Sequence, residues 1–533
     1  MARDIRQIIE RFLETSQDPV LYEPGEDWLP ITRENLVLES RAGGLQLQAW
    51  NERRNLVRGV TAIEQQGRGK LVLKVARFGK VQGTLELIDR QRAVRENVPL
   101  RAGRLGFREQ FRRFLRRQFT GYKVAELTTE PDLEHSLSPA YPRALLRQGN
   151  SLQPGRAAWA AIGAAPEAGH PDGVLTFGLI WLDYLRAREA SFGVRGLTVE
   201  GLILYLPAGH EKTTCLRLLF LDPGAAQYRA YVYDEHGLEE RIDLGDYGNL
   251  DTHLEPHRRR TLAAPFTEAA PFTEAAPFTE AAPFTEVTPL AGTPGAETPE
   301  VETIDRADGE QSFRVHGLEF ARTAGSEILF GIQTKRRASA GIAAWANQLS
   351  RLRSPDAPDR RNPLYLRNPE AWLESQVRKQ IQEIDASLAP EPVYGQVPAF
   401  AADGRGVLDL LAIDHRGRLA VVELKVSEDV HLPLQALDYW MRVQWHLERG
   451  EFQSNGYFPS HELTRELPRL LLVSPALDFH SSNERVLRYF SRHIPVERIG
   501  VGLDWRKELK VIHRSLTSEP KRLPHVNSSF PAR

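Results

Sequence analysis

A proline recurs every six residues in the middle of the chain, where the hexapeptide Ala-Ala-Pro-Phe-Thr-Glu is repeated four times, with prolines at Pro265, Pro271, Pro277 and Pro283. Each proline removes a backbone donor and clashes with the preceding helical turn, so no continuous helix can cross this stretch. The six-residue period is also too short for a solenoid repeat. The pattern predicts an extended, disordered spacer, and the alternative is a partner-binding array with repeated Phe anchors.

The linker separates two parts of the chain that are each long enough to fold. The sequence has 533 residues, of which 41% are hydrophobic and 26% charged, and this composition supports hydrophobic cores and excludes wholesale disorder. At about 100–200 residues per domain, three or four domains are expected. We predict a mixed α/β protein with an N-terminal helix and small antiparallel β domain at 1–100, an α/β domain at 101–250, the linker at 251–312, two strands and a basic connector at 313–363, a compact α/β domain at 364–515 and a flexible tail at 516–533.

The composition excludes several classes of protein. Cys215 is the single cysteine, so neither a disulfide framework nor a cysteine-based zinc site can form. It stands in an apolar run and is expected to be a core residue rather than a nucleophile. No stretch approaches 18 apolar residues, and the amphipathic N-terminus has no apolar signal core. We therefore expect a soluble, cytoplasmic protein without membrane association.

An arginine-rich amphipathic helix is predicted at residues 107–119. Its apolar stripe has the spacing of one helical face and comprises Phe107, Phe111, Phe114 and Leu115. The rest of the helix is strongly basic, with Arg112, Arg113, Arg116 and Arg117. This surface is a candidate for contact with nucleic-acid phosphates, and the equally open alternative is a solvated face or one paired with acidic groups elsewhere.

Short strands are predicted before this helix and after the linker. Residues Leu71–Ile88 predict two strands about a turn at Gly79. Beyond the linker, residues 313–321 and 328–333 predict one strand each. The basic connector that follows begins with a second group of candidate nucleic-acid contacts, Lys335, Arg336 and Arg337.

Residues 406–425 carry the pattern of a β-hairpin, with a polar turn between two apolar runs. If the turn is a three-residue loop with Gly417 left-handed, Asp414 pairs with Arg418. The same register places Asp409 opposite Glu423, with both side chains on one face of the sheet. Lys425 lies two residues further along and shares that face.

Two opposed carboxylates in apolar strands destabilise a sheet unless something neutralises them. A divalent cation would do so, and an all-oxygen ligand set suits Mg²⁺ or Mn²⁺. Lys425 could then orient or deprotonate a water molecule, or offset charge developing on a phosphate. The alternative is a buried ion pair of Glu423 and Lys425, with Asp409 at the end of its strand.

Helices on either side of the hairpin add polar groups. The upstream helix starts with Asn368 and a proline at its first position, which is typical of a helix N-terminus. It carries Glu374 on its inward face. The downstream helix begins near Leu432 and has Gln435 in its first turn, which places an amide close to the end of the Lys425 strand.

This order of elements resembles the PD-(D/E)xK nuclease superfamily, which is restriction-endonuclease-like. The matching residues are Asp409, the Glu423-Leu-Lys425 tripeptide, Glu374 and Gln435, whereas Leu408 stands where the family name has Pro. Val-Leu-Asp-Leu-Leu followed by Val-Val-Glu-Leu-Lys looks most like the NucS-type endonuclease and RecB-like nuclease catalytic domains. The likeness covers residues 364–515, under a third of the chain.

The resemblance implies a mixed central sheet flanked by helices and a Mg²⁺-dependent, or Mn²⁺-dependent, DNA endonuclease active in repair, recombination or restriction. It places the metal on Asp409, Glu423 and the backbone carbonyl of Leu424, with Glu374 acting directly or through water. Lys425 and Gln435 would position the attacking water. DNA is the implied partner, and a homodimer is left open. The competing hypothesis is a non-catalytic DNA-binding or scaffold protein that retains the fold.

Residues 105–222 repeat this order of elements in weaker form. The segment from Trp181 resembles the segment from Ala436, and the one from Gly201 resembles the one from Arg469. Ile162-Gly-Ala then stands where the second copy has Glu-Leu-Lys. The hypothesis is a degenerate nuclease-like domain, and the alternative is chance similarity between generic helix–strand units.

The net charge of -1 conceals an uneven distribution. Residues 1–262 carry +3, residues 263–310 carry -9, residues 311–363 carry +5, and residues 364–533 are neutral. Basic charge is therefore concentrated outside the C-terminal domain. We expect residues 101–119 and 311–363 to provide most of the DNA contact, and the C-terminal domain to provide the chemistry.

Overall fold

In the computed structural model of the chain, the described residues form four β-sheets with helices packed on them, a mixed α/β protein as predicted. The structure describes residues 2–16, 19–23, 29–32, 35–41, 44–50, 55–66, 69–76, 82–89, 98–132, 134–149, 157–165, 173–193, 196–234, 237–250, 252–257, 301–305, 310–325, 327–332, 336–337, 342–401 and 404–516. Several predicted features lie outside these residues. They are the hexapeptide repeats, the turn at Gly79, Lys335 and the predicted tail from 517 onwards. Within the described residues, no helix is long and apolar enough to cross a membrane.

The N-terminal sheet has seven antiparallel strands, and helix α1 (Ala2–Thr15) packs against it through Ile5, Ile9 and Phe12. The two strands predicted within Leu71–Ile88 are confirmed, since they pair antiparallel across the position of the predicted turn. In chain order the strands are β1 (Pro19–Tyr22), β2 (Leu29–Pro30), β3 (Leu36–Arg41), β4 (Gly44–Trp50), β5 (Asn55–Gln66), β6 (Lys70–Ala76) and β7 (Gln82–Asp89), and in space they are ordered β2-β1-β7-β6-β5-β4-β3.

The first α/β unit follows and spans residues 98–241. Its elements are α2 (Val98–Gln118), β8 (Tyr122–Thr128), β9 (Arg143–Gln148), β10 (Ala157–Gly163), α3 (Gly173–Ser191), β11 (Thr198–Pro207), α4 (Lys212–Leu218), β12 (Gln227–Tyr233) and β13 (Glu239–Arg241). The sheet order is β13-β12-β11-β10-β9-β8. Strands β10, β11 and β12 are parallel, and the other neighbours are antiparallel. The predicted stripe of Phe107, Phe111, Phe114 and Leu115 on α2 is buried, and Cys215 is a core residue, as predicted.

A five-stranded antiparallel sheet occupies part of the region predicted as linker and connector. Its strands are β15 (Glu302–Asp305), β16 (Gln311–Val315), β17 (Leu318–Ala324), β18 (Glu327–Phe330) and β19 (Arg336–Arg337), followed by helix α5 (Ile342–Leu352). The prediction of one strand at 313–321 is wrong, because His316 and Gly317 both have positive φ and turn the chain between β16 and β17. The predicted linker was also too wide, since β14 (Thr252–Leu254), β15 and the start of β16 are ordered strands.

The second α/β unit spans residues 369–516, just after the short helix α6 (Pro363–Leu366). Its elements are α7 (Pro369–Lys379), α8 (Ile381–Ile384), β20 (Tyr394–Ala401), β21 (Gly404–Ile413), β22 (Leu419–Leu424), α9 (Leu432–Glu448), α10 (Glu451–Ser454), β23 (Arg469–Pro475), α11 (Asn483–Leu487), β24 (Val496–Val501) and β25 (Val511–Leu516). The sheet order is β14-β20-β21-β22-β23-β24-β25, with β22, β23 and β24 parallel. Core residues of α9 cover one face of this sheet and those of α7 cover the other.

The two α/β units have the same topology. Strands β8–β13 and β20–β25 follow one order, and each pair of neighbours has the same relative direction in both units. Helices α2 and α7 precede the sheets, α3 and α9 connect the third strand to the fourth, and α4 and α11 connect the fourth to the fifth. This correspondence of elements agrees with the alignment made from the sequence, whereas common ancestry of the units stays a hypothesis.

Candidate active site

The hairpin of β21 and β22 has the predicted register. Leu410 pairs with Val422, and Ile413 pairs with Leu419. The turn closes through Gly417, which is left-handed with φ of 88° and has no room for a side chain, because a Cβ atom would lie 2.1 Å from the Glu462 carbonyl oxygen. Asp409 and Glu423 therefore follow one step beyond the last antiparallel pair, as predicted.

Asp409 and Glu423 form a pair of opposed carboxyl groups, of which Glu423 is buried and Asp409 half-buried. The Asp409 carboxylate accepts a hydrogen bond of 2.8 Å from the Leu424 amide, which fixes it against the neighbouring strand. Burial raises the pKa of Asp409 to about 7, although Lys425 opposes this and Glu370 adds to it. Burial and then the charge of Asp409 raise the pKa of Glu423 well above its usual value. The Oε2 atom of Glu423 is buried and has no hydrogen-bond partner among the described residues.

Lys425 is the cation of this cluster. Its Nζ atom lies 3.6 Å from Oε1 of Glu423 and 3.8 Å from Oε1 of Glu370. Burial alone would lower the pKa of Lys425, but the carboxylates of Glu370, Glu423 and Asp409 outweigh it, and the pKa is raised well above the usual value. The ammonium group is therefore charged over the whole physiological pH range.

Glu370 belongs to the site and was missed in the sequence. Asn368 caps helix α7 through its side chain, which accepts from the Ala371 amide at 3.4 Å, and Pro369 follows at the first position. Glu370 is thereby placed in the first turn, at the end of the helix that approaches Lys425. Burial raises the pKa of Glu370 while Lys425 lowers it. An acidic residue directly after an Asn-Pro helix start was the available signal.

The structure places Glu374 in a neighbouring cluster. Its Oε1 atom accepts from Arg378 at 2.9 Å, and its Oε2 atom lies 4.0 Å from Arg314. Strand β20 runs close by, since a Cβ atom on Gly395 would lie 2.7 Å from Glu374 Oε1. Arginines thus neutralise Glu374, and its charge reaches the site only as a minor contribution that raises the pKa of Asp409.

Helix α9 carries the predicted site residue Gln435 and, one turn further, a tyrosine near the carboxylate pair. Gln435 lies half-buried in its first turn, as predicted. Tyr439 is one turn further on the same side and is buried. Its pKa is raised well above the usual value by burial, and then by the charges of Glu423 and Asp409. Tyr439 was not predicted from the sequence, although its spacing of four residues from Gln435 places both on one helical face.

The donor set of the site suits a hard divalent cation. Among the described residues, no group of three or more His, Cys, Asp or Glu side chains is arranged to hold a metal ion. The pair of Asp409 and Glu423 nevertheless offers carboxylate oxygens alone, and one of them is buried without a partner. Carboxylate oxygens together with a backbone carbonyl such as that of Leu424 are ligands that Mg²⁺ and Mn²⁺ accept. The residues present therefore fit the metal that the sequence predicts.

The predicted nucleic-acid contacts are only partly described. On helix α2, Arg113 and Arg116 are exposed. Arg117 is paired with Glu239 at 2.6 Å and Arg112 with Glu109 at 3.0 Å. Acidic partners therefore neutralise part of this basic surface. Arg336 and Arg337 lie in β19, where the structure describes the backbone only.

No protein-family model matches this chain, and neither the curated proteins nor the solved structures contain a significant match to it.

Proposed function

We propose that the second α/β unit is a metal-dependent DNA endonuclease of the restriction-endonuclease-like PD-(D/E)xK superfamily. The observation that carries the proposal is the pair of Asp409 and Glu423, which face each other at the end of a hairpin with Lys425 beside them. A chain gains nothing in stability from two adjacent carboxylates partly or fully withdrawn from solvent, because their repulsion and desolvation both oppose folding. A bound divalent cation turns that cost into a binding site.

The residues of the site would divide the work of hydrolysis. The carboxylates of Asp409 and Glu423, with the Leu424 carbonyl, would hold the cation. When bound, the cation would supply positive charge to the scissile phosphate and acidify a water molecule. The amide of Leu424 keeps Asp409 in place. The buried Oε2 of Glu423, which has no hydrogen-bond partner among the described residues, is available to the cation.

Lys425 would stabilise negative charge as it develops on the phosphate. Its ammonium group is held between Glu423 and Glu370, so it is preorganised and does not have to be drawn from solvent during the reaction. Gln435 would orient the water by hydrogen bonding through its amide. In the balanced reaction, the water oxygen bonds to phosphorus, one phosphorus–oxygen ester bond breaks, and the leaving oxygen takes up a proton.

Cleavage of labelled DNA tests the proposal. The full chain is incubated with duplex, single-stranded, mismatched and branched oligonucleotides in Mg²⁺, in Mn²⁺ or in EDTA. We expect cleavage that requires the metal, and a loss of at least ~100-fold in Glu423→Gln and Lys425→Ala. Glu466→Gln is the matched control, because Glu466 is exposed and pairs with Arg418. Wild type and variants that bind DNA but leave every substrate intact would favour the non-catalytic binding protein.

A further inference from the structure

The two α/β units pack against each other through equivalent residues. When Leu182-Asp-Tyr is aligned with Leu437-Asp-Tyr, Thr176 corresponds to His431. These two residues contact one another, with Thr176 Oγ1 3.0 Å from His431 Nδ1. An interface in which equivalent residues meet is the signature of a local two-fold axis.

A second set of contacts repeats on both sides of this axis. Asp438 of α9 accepts two hydrogen bonds, of 2.9 and 2.7 Å, from Arg217 of α4. The equivalent residue of α3, Asp183, lies 3.8 Å from Arg485 of α11 and 3.9 Å from Arg488 just after it. Since α4 and α11 are equivalent helices, each unit offers its partner the same aspartate and an arginine from the same element.

The segments that follow α4 and α11 complete the symmetry. Leu221 and Phe490 form an antiparallel bridge. The Asp222 amide donates to the Tyr489 carbonyl, and the Ser491 amide donates to the Phe220 carbonyl, both at 2.8 Å. Core residues of the two units join in one continuous hydrophobic cluster that includes α3 and α9. The chain therefore contains an internal pseudo-dimer, whose interface resembles that of a symmetric homodimer.

The first unit lacks the carboxylates, the lysine and the glutamine of the second unit at the equivalent positions of its sheet and helix. In the shared topology, Ile162 corresponds to Glu423, Ala164 to Lys425 and Ile180 to Gln435. Opposite Ile162, at the place of Asp409, stands Arg143. Its buried guanidinium donates to the carbonyls of Ser138 and Glu130, both at 2.6 Å, and faces the Trp181 ring. A buried cation at this position repels a metal ion instead of binding one.

We infer that the chain carries one catalytic centre in an internal pseudo-dimer and that it cuts one strand of duplex DNA, leaving a nick. The inference rests on the proposed function. The strands of a duplex are antiparallel, so two active units related by a two-fold axis can cut both strands together. Here α4 of the inactive unit covers the face of α9 that carries Asp438, through Arg217, so a second active copy cannot pack there. Each reaction breaks one phosphodiester bond and leaves the opposite strand intact.

The products formed from a supercoiled plasmid test the inference. With the full chain and Mg²⁺ or Mn²⁺, we expect supercoiled DNA to become open circles first. Linear DNA should follow only when independent nicks have accumulated on opposite strands. With plasmid in large excess over both chains, so that they do not compete for DNA, the nicking rate should be proportional to the concentration of wild-type chain and should not change when inactive Lys425→Ala chain is added. Ala164→Ser, at the position equivalent to Lys425, should keep the wild-type rate.

The outcomes separate the inference from the proposed function. Linear DNA that appears together with the first loss of supercoils, and a rate that falls when inactive chain is added, would show cooperating active copies and would overturn the inference alone. A plasmid that stays supercoiled with every metal would defeat the proposed function, and the inference would fall with it. Thermal melting of Ala164→Ser and Lys425→Ala verifies that both variants are folded.

Discussion

Asp183 and Asp438 occupy equivalent positions in helices α3 and α9, and each faces arginine from the opposite α/β unit. The two ion pairs differ in quality. Arg217 binds Asp438 through two short hydrogen bonds, whereas Arg485 and Arg488 approach Asp183 no closer than 3.8 Å. Burial raises the pKa of Asp183, and these arginines only partly counteract it. The interface is thus symmetric in its residues but not in its energetics.

Replacing Arg217 should destabilise the paired units more than replacing Arg485. Arg217→Gln leaves Asp438 without its bidentate partner in a mostly buried place, which costs about 3–5 kcal/mol. Arg485→Gln removes a looser, more exposed pair and should cost about 1 kcal/mol or less. Urea unfolding monitored by tryptophan fluorescence measures both. Equal losses would show that the two ion pairs contribute alike, and adding Asp438→Asn to Arg217→Gln isolates the coupling energy.

Glu370 and Glu374 should differ in what their removal affects. Glu370→Gln removes a charge that faces Lys425, so we expect a loss of about 10- to 100-fold in DNA cleavage with little change in melting temperature. Glu374→Gln leaves Arg378 and Arg314 less compensated in a buried cluster. It should lower stability by about 2–4 kcal/mol. Cleavage rates and melting curves of both variants check this. If Glu374→Gln instead lost cleavage and Glu370→Gln instead lost stability, Glu374 would belong to the site.

The carboxylate pair could be predicted from the sequence because local chemistry fixes it. A three-residue turn with one glycine determines the register of every later pair in the hairpin, so Gly417 alone is enough to bring Asp409 opposite Glu423. The withdrawal of this pair from solvent could be predicted from the apolar residues on either side of it in both strands. The turn at His316 and Gly317 was missed because it interrupts an alternating pattern that is otherwise typical of one strand.

The choice between Glu370 and Glu374 could not be made in this way. Residues four apart lie on the same face of a helix, so periodicity places both carboxylates toward the sheet. Which of them reaches Lys425 depends on the position of α7 along the strands. The long-range contact between Gly317 and this helix helps to fix that position. A Cβ atom on Gly317 would lie 1.8 Å from the Ala371 carbonyl oxygen. Such tertiary contacts leave no local signal in the sequence.

Asp385 should make stability depend on pH in the acid range. Burial alone would raise its pKa, but hydrogen bonds from Arg469, Ser387 and Arg514 lower it far below the usual 3.8. A carboxyl with a lowered pKa contributes stability that is complete above its unfolded pKa and is lost as the pH falls toward its folded pKa. The melting temperature of wild type should therefore exceed that of Asp385→Asn by a constant amount from about pH 7 to 5, and the difference should shrink below about pH 4.

Asp478 provides a control of opposite sign. Burial and then Glu428 raise its pKa, so its charged form opposes folding at neutral pH. Asp478→Asn should raise the melting temperature at neutral pH, and this gain should disappear as the pH falls below the raised pKa and the wild-type carboxyl is protonated. If the melting temperatures of Asp385→Asn and Asp478→Asn change with pH in parallel, general acid unfolding rather than these two carboxyls governs the pH dependence of stability.

The contact between Thr176 and His431 should link the inactive unit to the catalytic helix. His431 precedes α9, its amide donates to Asp429 at 2.7 Å, and its carbonyl accepts from the Gln435 amide at 3.0 Å. The ring of His431 is held by the Thr176 hydroxyl and by the edge-on ring of Phe177. Thr176→Val removes the hydroxyl while keeping the shape, so we expect a loss of about 1–2 kcal/mol in stability and a lower kcat for DNA cleavage.

Two matched variants decide whether the Thr176 hydroxyl is responsible. Thr176→Ser restores the hydrogen-bonding group and should recover most of the kcat. Thr214→Val makes the same substitution at a fully buried threonine whose hydroxyl has no partner among the described residues, so it should leave both kcat and stability close to wild type. If Thr176→Val and Thr214→Val reduce kcat equally, the effect comes from buried volume and packing. A selective loss in Thr176→Val that serine rescues assigns to the inactive unit a part in positioning the helix that carries Gln435.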